Sequence, residues 1–207
     1  MGRDTQAKCK KCRREGTKLF LKGDKCYTDK CPVTRKSYPP GEAGESRSRW
    51  SQYRIRLREK QKARRIYGVR EEKFRNYFEQ SDASKEITGQ ALLKTLERRL
   101  DNVLYRSGLA ESRDQARQLI NHGHIEVNGR SVDIPSYMTE EGDVVSYKES
   151  SRSKEGLKSL VDEENARIPS WIDVEPGNMR ASVLSEPAIE DVEESLQVNR
   201  IVEFYSR

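Results

Sequence analysis

The run from Leu96 to Tyr147, LERRLDNVLYRSGLAESRDQARQLINHGHIEVNGRSVDIPSYMTEEGDVVSY, leaves the chain few choices, because its apolar spacing switches from helical to alternating part-way along. Leu92, Leu93, Leu96, Leu100, Val103 and Leu104 recur at three- and four-residue steps. This predicts one helix with a single buried stripe and with Lys94, Arg98 and Arg106 at the surface. Gly108 ends it. Ser112 and Gln115 form a capping box, in which each side chain satisfies an orphan N–H of the first turn, and Ala116, Leu119 and Ile120 make the buried face that follows. Gly123 stops this second helix. His124 to Val127 then alternates into Asn128-Gly129, a pair that tolerates positive φ and so predicts a tight hairpin, with Arg130 to Ile134 as the return strand. Glu141-Gly142-Asp143 is a further turn, leading into the β-rich Val144 to Tyr147. The result is a small αα-β unit whose helices carry arginine on their exposed faces, Arg113 and Arg117 one turn apart. That surface suits a polyanion.

Composition limits what surrounds this unit. Of 207 residues 33% are hydrophobic and 36% charged, so there is little core material per residue. The net charge of +6 conceals an asymmetry: residues 1–160 hold 36 Lys/Arg against 23 Asp/Glu, or +13, and residues 161–207 hold 4 against 11, or −7. One end seeks polyanions and the other does not. No stretch has the length of a transmembrane helix, and the amino terminus lacks an apolar signal core, so a cytosolic place is expected.

All four cysteines fall in the first 31 residues, as Cys9-x2-Cys12 and Cys26-x4-Cys31 with 13 residues between the pairs. Each close pair can supply two ligands from a tight turn, which suits one structural zinc held by four thiolates. Neighbouring lysines at 8, 10, 11, 25 and 30 would favour the thiolate form. Two disulfides or four free thiols are the other readings. The missing secretion signal weighs against disulfides.

Between Arg47 and Arg65 stand nine basic residues against one acid, Glu59, with Trp50 and Tyr53 among them. Tyr53, Leu57, Gln61 and Arg65 fall on successive turns of one helical edge. Such a run repels itself in isolation and becomes favourable where phosphates replace condensed counterions. The alternative is a solvated face, but the excess is one-signed and adjoins two other basic segments. Beyond the αα-β unit, Gly156 to Asn165 is expected to be helical, Ser170 to Val174 and Ala181 to Leu184 to be strands about a Pro176-Gly177-Asn178 turn, and Pro187 to Leu196 a helix. The acids there read as a solvated face, or as a dock for a basic protein neighbour. Nothing suggests catalysis: the only histidines, His122 and His124, sit beside arginines, and no phosphate loop, dinucleotide fingerprint or HExxH motif is present.

The stretch ERRLDNVLYRSGLAESRDQARQLINHGHIEVNGR resembles the S-four RNA-binding module. CPVTRKSYPPG, YRIRLREKQKARRIYGVREEKFRNYF and the final IVEFYSR resemble the S-four family of small-subunit ribosomal proteins of bacteria and organelles, in its zinc-bearing branch. The resemblance implies an α+β protein. A zinc knuckle and basic extension would occupy residues 1–45, a discontinuous helical domain residues 46–90 plus 187–207, and the inserted αα-β module with a small, mainly antiparallel sheet residues 91–186. It implies a non-enzymatic constituent of the small ribosomal subunit that binds folded ribosomal RNA, nucleates assembly and contributes to translational accuracy, on cytoplasmic or organellar ribosomes. Neighbouring proteins including S-five, and messenger RNA, are the further partners it implies; no membrane or small-molecule substrate is expected. The competing reading is a non-ribosomal RNA chaperone, translational repressor or RNA-modification accessory built on the same module. Candidate RNA contacts are Arg3, Arg47, Arg49, Tyr53, Arg56, Arg58, Lys60, Lys62, Arg64, Arg65, Arg98, Arg113, Arg117, His122 and His124. Glu203, Phe204, Tyr205 and Arg207 are the expected protein-partner surface.

Overall fold

A computed structural model describes residues 6–42, 49–152, 168–188, 191–192 and 196–206. The chain divides into two compact units, residues 1–91 with 195–207, and residues 92–194.

In the first unit, α1 (Lys8–Glu15) stops at Gly16, whose φ of 72° is the left-handed turn that glycine adopts without penalty. A 3-10 turn at Gly23–Cys26 and the short α2 (Pro32–Arg35) follow. Apolar material is scarce here, with Leu19, Cys12, Cys26 and Cys31 buried. Arg13 ties this lobe together by donating to the Tyr38 carbonyl at 3.1 Å while its guanidinium sits 4.8 Å over the Tyr38 ring.

The basic run forms α3 (Gln52–Ile66), capped by Ser51, whose Oγ accepts from the Arg54 N–H at 3.2 Å. Next, α4 (Glu71–Asp82) places Glu71 and Glu72 in its first turn, where the helix dipole favours acids, and buries Phe74, Tyr77 and Phe78. The final residues return as a helix, labelled α9 below (Val198–Tyr205), packed along α3. Tyr205 stacks on Phe78 at 4.5 Å and Phe204 meets Tyr53 at 5.8 Å. Gly89 permits this packing, since a Cβ there would lie 2.7 Å from Val198 Cγ1.

In the second unit the single helix expected through Leu92 and Leu104 is two. α5 (Thr88–Glu97) ends, Arg99 is extended, and α6 (Leu100–Arg106) begins. Periodicity missed the break because the stripe persists across it: Leu92, Leu93, Leu96, Leu100, Val103 and Leu104 are all buried. The cause lies later in the chain. The carbonyls of Tyr137 and Pro135 accept from the N–H groups of Leu100 and Asp101 at 2.9 and 3.1 Å, capping α6 from outside. This also shortens the expected return strand, which covers only Arg130–Ser131 before the chain turns toward Pro135.

α7 (Arg113–Asn121) carries the predicted cap. Ser112 Oγ accepts from the Gln115 N–H at 3.3 Å, while Gln115 Oε1 accepts from the Glu111 N–H at 2.7 Å, one residue before the cap itself. β1 (Ile125–Val127) and β2 (Arg130–Ser131) join through Asn128 and Gly129 at φ 52° and 73°. β3 (Val144–Tyr147), a short helix α8 (Glu149–Arg152), β4 (Ile172–Glu175) and β5 (Arg180–Val183) complete an antiparallel sheet of order β2-β1-β3-β5-β4. Leu104, Ala116 and Ile120 pack on one core with Ile125, Val145, Tyr147 and Trp171. The helix expected at Gly156 to Asn165 lies outside the described residues, as does half of the one expected at Pro187 to Leu196, whose described residues are not α-helical. No helix among the described residues is long and apolar enough to cross a membrane.

Candidate nucleic-acid interface

Folding brings acids to the basic run that the local sequence does not contain. The side chain of Glu15, at the end of α1, is 1% exposed. Arg58 donates to it in a fork, Nε to Oε2 at 3.1 Å and Nη2 to Oε1 at 2.7 Å, and Arg65 Nη1 donates to the same Oε1. Glu71 accepts from Lys60 and Arg64, each at 2.6 Å, and from the Tyr205 hydroxyl at 3.2 Å. Burial would raise the Glu71 carboxyl, but the hydrogen bonds and charges of Lys60 and Arg64 outweigh it and hold the group below its ordinary value. Glu59 accepts from Lys62 at 3.3 Å and from the Gln197 N–H at 2.8 Å.

The same device recurs in the second unit, where Glu97 and Asp101 have side chains 1% exposed. Glu97 receives a fork from Arg106 at 3.1 and 3.0 Å and a bond from Asn102 Nδ2 at 2.6 Å, and Asn102 Oδ1 accepts from Arg113 Nε at 2.8 Å. Arg113 also lies 4.3 Å over the Tyr105 ring. Asp101 receives a fork from Arg99 at 3.1 and 2.8 Å and a bond from Arg117 at 2.6 Å. Each carboxylate fixes at least one guanidinium that keeps partial exposure, Arg58 and Arg65 on Glu15, Arg106 on Glu97 and Arg117 on Asp101. Such pairs order arginines without adding much net stability.

The structure therefore sorts the expected contacts. Arg49 and Tyr53 are exposed; Arg56, Arg58, Arg64, Arg65, Arg98 and Arg117 are partly exposed and held by protein acceptors. Lys60, Lys62 and Arg113 are buried and bonded internally. Arg113 and Arg117 are thus not the pair of outward arginines that helical spacing suggested, because Asn102 and Asp101 draw them to the α6 side. His122 is exposed, and His124 Nδ1 lies 2.9 Å from Ser151 Oγ. Arg3, Arg47 and Arg207 lie outside the described residues. Glu203 reaches Arg56 at 2.6 Å, while Phe204 and Tyr205 pack inside the first unit. Arg106, expected at the surface, is only 13% exposed because it forks onto Glu97; Arg99 and the Trp50–Arg54 stack at 4.5 Å were not anticipated. A heavier weighting of acids flanked by arginines would have found Glu15, which follows Arg13-Arg14.

The four cysteines are free and line one cavity with Lys8, Leu21, Lys22, Lys25, Pro32 and Val33. Burial, with the nearby Cys26, Cys9 and Cys31 adding to it, pushes the Cys12 thiol up to about 11. Four soft sulfur donors match a zinc site in chemistry and number, although Cys9 and Cys12 come from helix α1 rather than from the tight turn that their spacing suggested, while Cys26 ends the 3-10 turn and Cys31 precedes α2. Among the described residues no three ligating side chains stand close enough to hold a metal ion as placed.

Over residues 3–97 the chain matches the family described as Ribosomal protein S4/S9 N-terminal domain, and over residues 98–145 the S4 domain. It is 53% identical to the small ribosomal subunit protein uS4A of Symbiobacterium thermophilum, 50% to uS4 of Pelotomaculum thermopropionicum and 51% to uS4 of Clostridium botulinum, in each case along the whole of both chains. With two family matches in register and relatives half identical from end to end, this chain belongs to the uS4 family of small ribosomal subunit proteins.

Proposed function

We propose that the chain is a non-catalytic constituent of the small ribosomal subunit that binds its ribosomal RNA through both units and helps to nucleate assembly. The observation that carries this is the repeated arrangement of arginines locked by buried carboxylates, at Glu15, Glu97 and Asp101. Structured RNA is recognised through backbone and shape, for which preset guanidiniums are suited. The sheet of the second unit supports α6 and α7 from behind. Contacts to neighbouring small-subunit proteins, S-five by resemblance, would fall near the exposed Glu203, and an effect on decoding accuracy would act through them.

One zinc held by Cys9, Cys12, Cys26 and Cys31 would supply the stability that the lobe's sparse core does not. Its role would be structural, since four thiolates would fill the metal's coordination and leave no position for substrate. Metal analysis of protein purified without added zinc is expected to return close to one equivalent; no metal, with four freely alkylated thiols, would refute it.

Sedimentation tests the main reading. Tagged protein expressed in a bacterial host is expected to migrate with the small subunit and to remain there through a salt wash that strips loosely bound proteins. Migration only at the top of the gradient would favour a free RNA chaperone or repressor.

A further inference from the structure

Charge counting alone would assign Glu15 an opposing role. It contributes a negative charge within the basic face, so its removal should strengthen attraction to RNA. Its geometry argues otherwise. The carboxylate is buried, whereas the Arg58 and Arg65 side chains that it holds are 17% and 21% exposed, so it stands behind them. Arg58 spends Nε and Nη2 on it, and Arg65 spends Nη1. A guanidinium is a rigid planar fork, so fixing one edge fixes the direction of the others.

The cluster also needs an internal anion. Burial lowers Arg65's hold on its proton, Glu15 restores it, and Arg58, Arg64 and Arg14 all act against it. Two guanidiniums, Arg58 and Arg65, therefore share the one carboxylate of Glu15, while Glu71 takes Arg64. Without Glu15, Arg58 and Arg65 would repel each other and swing outward separately. Cys9 and Cys12 sit on the helix that carries Glu15, so the cysteine lobe sets where this carboxylate stands.

We infer that Glu15 is a positioning residue: through its buried carboxylate the cysteine lobe presets Arg58 and Arg65 of α3 as one two-arginine cradle for an RNA phosphate. This rests on the RNA-binding reading above. It predicts an effect opposite in sign to simple electrostatics.

The test is filter binding of the full chain to small-subunit ribosomal RNA transcribed in vitro, over a salt series, at a temperature where melting curves show every variant folded. Glu15→Gln is expected to weaken binding about tenfold and to reduce the log–log salt slope by roughly 1, since one phosphate contact loses its geometry. Glu203→Gln removes the same charge from an exposed pair on Arg56 and is expected to leave binding unchanged or slightly tighter. Should Glu15→Gln fail to fold, the double variant Arg58→Lys with Arg65→Lys keeps both charges but loses the forks, and is expected to weaken binding to a similar extent. Unchanged or tighter binding by Glu15→Gln, or by the double lysine variant where that stands in, would overturn the positioning role while leaving RNA binding intact. No binding by the wild-type chain would overturn both.

Discussion

At the scale of single residues, the guanidiniums are governed by acids that lie far away in sequence, and this changes what substitution does. Arg113 bonds Asn102 and stacks on Tyr105, so Arg113→Ala is expected to cost about 1–3 kcal/mol, read as a lower melting temperature of the second unit. Arg117→Ala is expected to cost less, because Asp101 keeps the fork from Arg99. Glu97→Ala is expected to be the most damaging of the three, about 3–5 kcal/mol, since it strands the buried side of Arg106 and an amide of Asn102. A melting temperature for Arg113→Ala equal to wild type would contradict the inward placement. The arginines themselves were legible in the sequence. Their orientation was not, because the spacing of Arg113 and Arg117 on a helix specifies a face and says nothing of Asn102 and Asp101, 11 and 16 residues away, which draw the two side chains inward.

Among elements, the carboxy-terminal helix α9 depends on two local arrangements. The first is the close approach at Gly89. Gly89→Ala adds a methyl where Val198 already sits, and is expected to lower stability by about 1–2 kcal/mol after the gain in helix propensity; adding Val198→Ala should restore part of the loss. The second is Glu71, which binds Tyr205 on α9. Its folded-state pKa is depressed, so the stability it contributes is present above the unfolded value of about 4.3 and is lost as pH falls through the lower folded value. The gap in stability between wild type and Glu71→Gln, measured by denaturation at several pH values, is therefore expected to be constant near neutrality and to close below about pH 4.3; a gap that widened on acidification would contradict the pairing. Turns and caps were the legible elements: Ser112, Gln115 and Asn128-Gly129 act locally, and local chemistry decides them. The break between α5 and α6 was not, because the carbonyls of Pro135 and Tyr137 that cap α6 arrive from a distant loop.

For the whole molecule, the αα-β unit followed from the switch of apolar period and its hairpin from Asn128-Gly129, while the α+β architecture with a mainly antiparallel sheet was what the family resemblance implied. Charge asymmetry pointed to a polyanionic partner, although net charge overstated how much of the basic run remains available, since Glu15, Glu59, Glu71 and Glu203 each take a share of α3. Membership of the uS4 family and the carboxylate-set arginines lead to one central claim: the chain by itself binds small-subunit ribosomal RNA through several phosphate contacts. Equilibrium binding of the isolated full-length protein to that RNA, with an unrelated structured RNA of equal length as competitor, tests it most directly. The account predicts saturable binding that the competitor displaces poorly, with log affinity falling linearly against log salt at a slope steeper than about −3, the signature of four or more phosphates. A slope near zero, or equal affinity for the unrelated RNA, would contradict it.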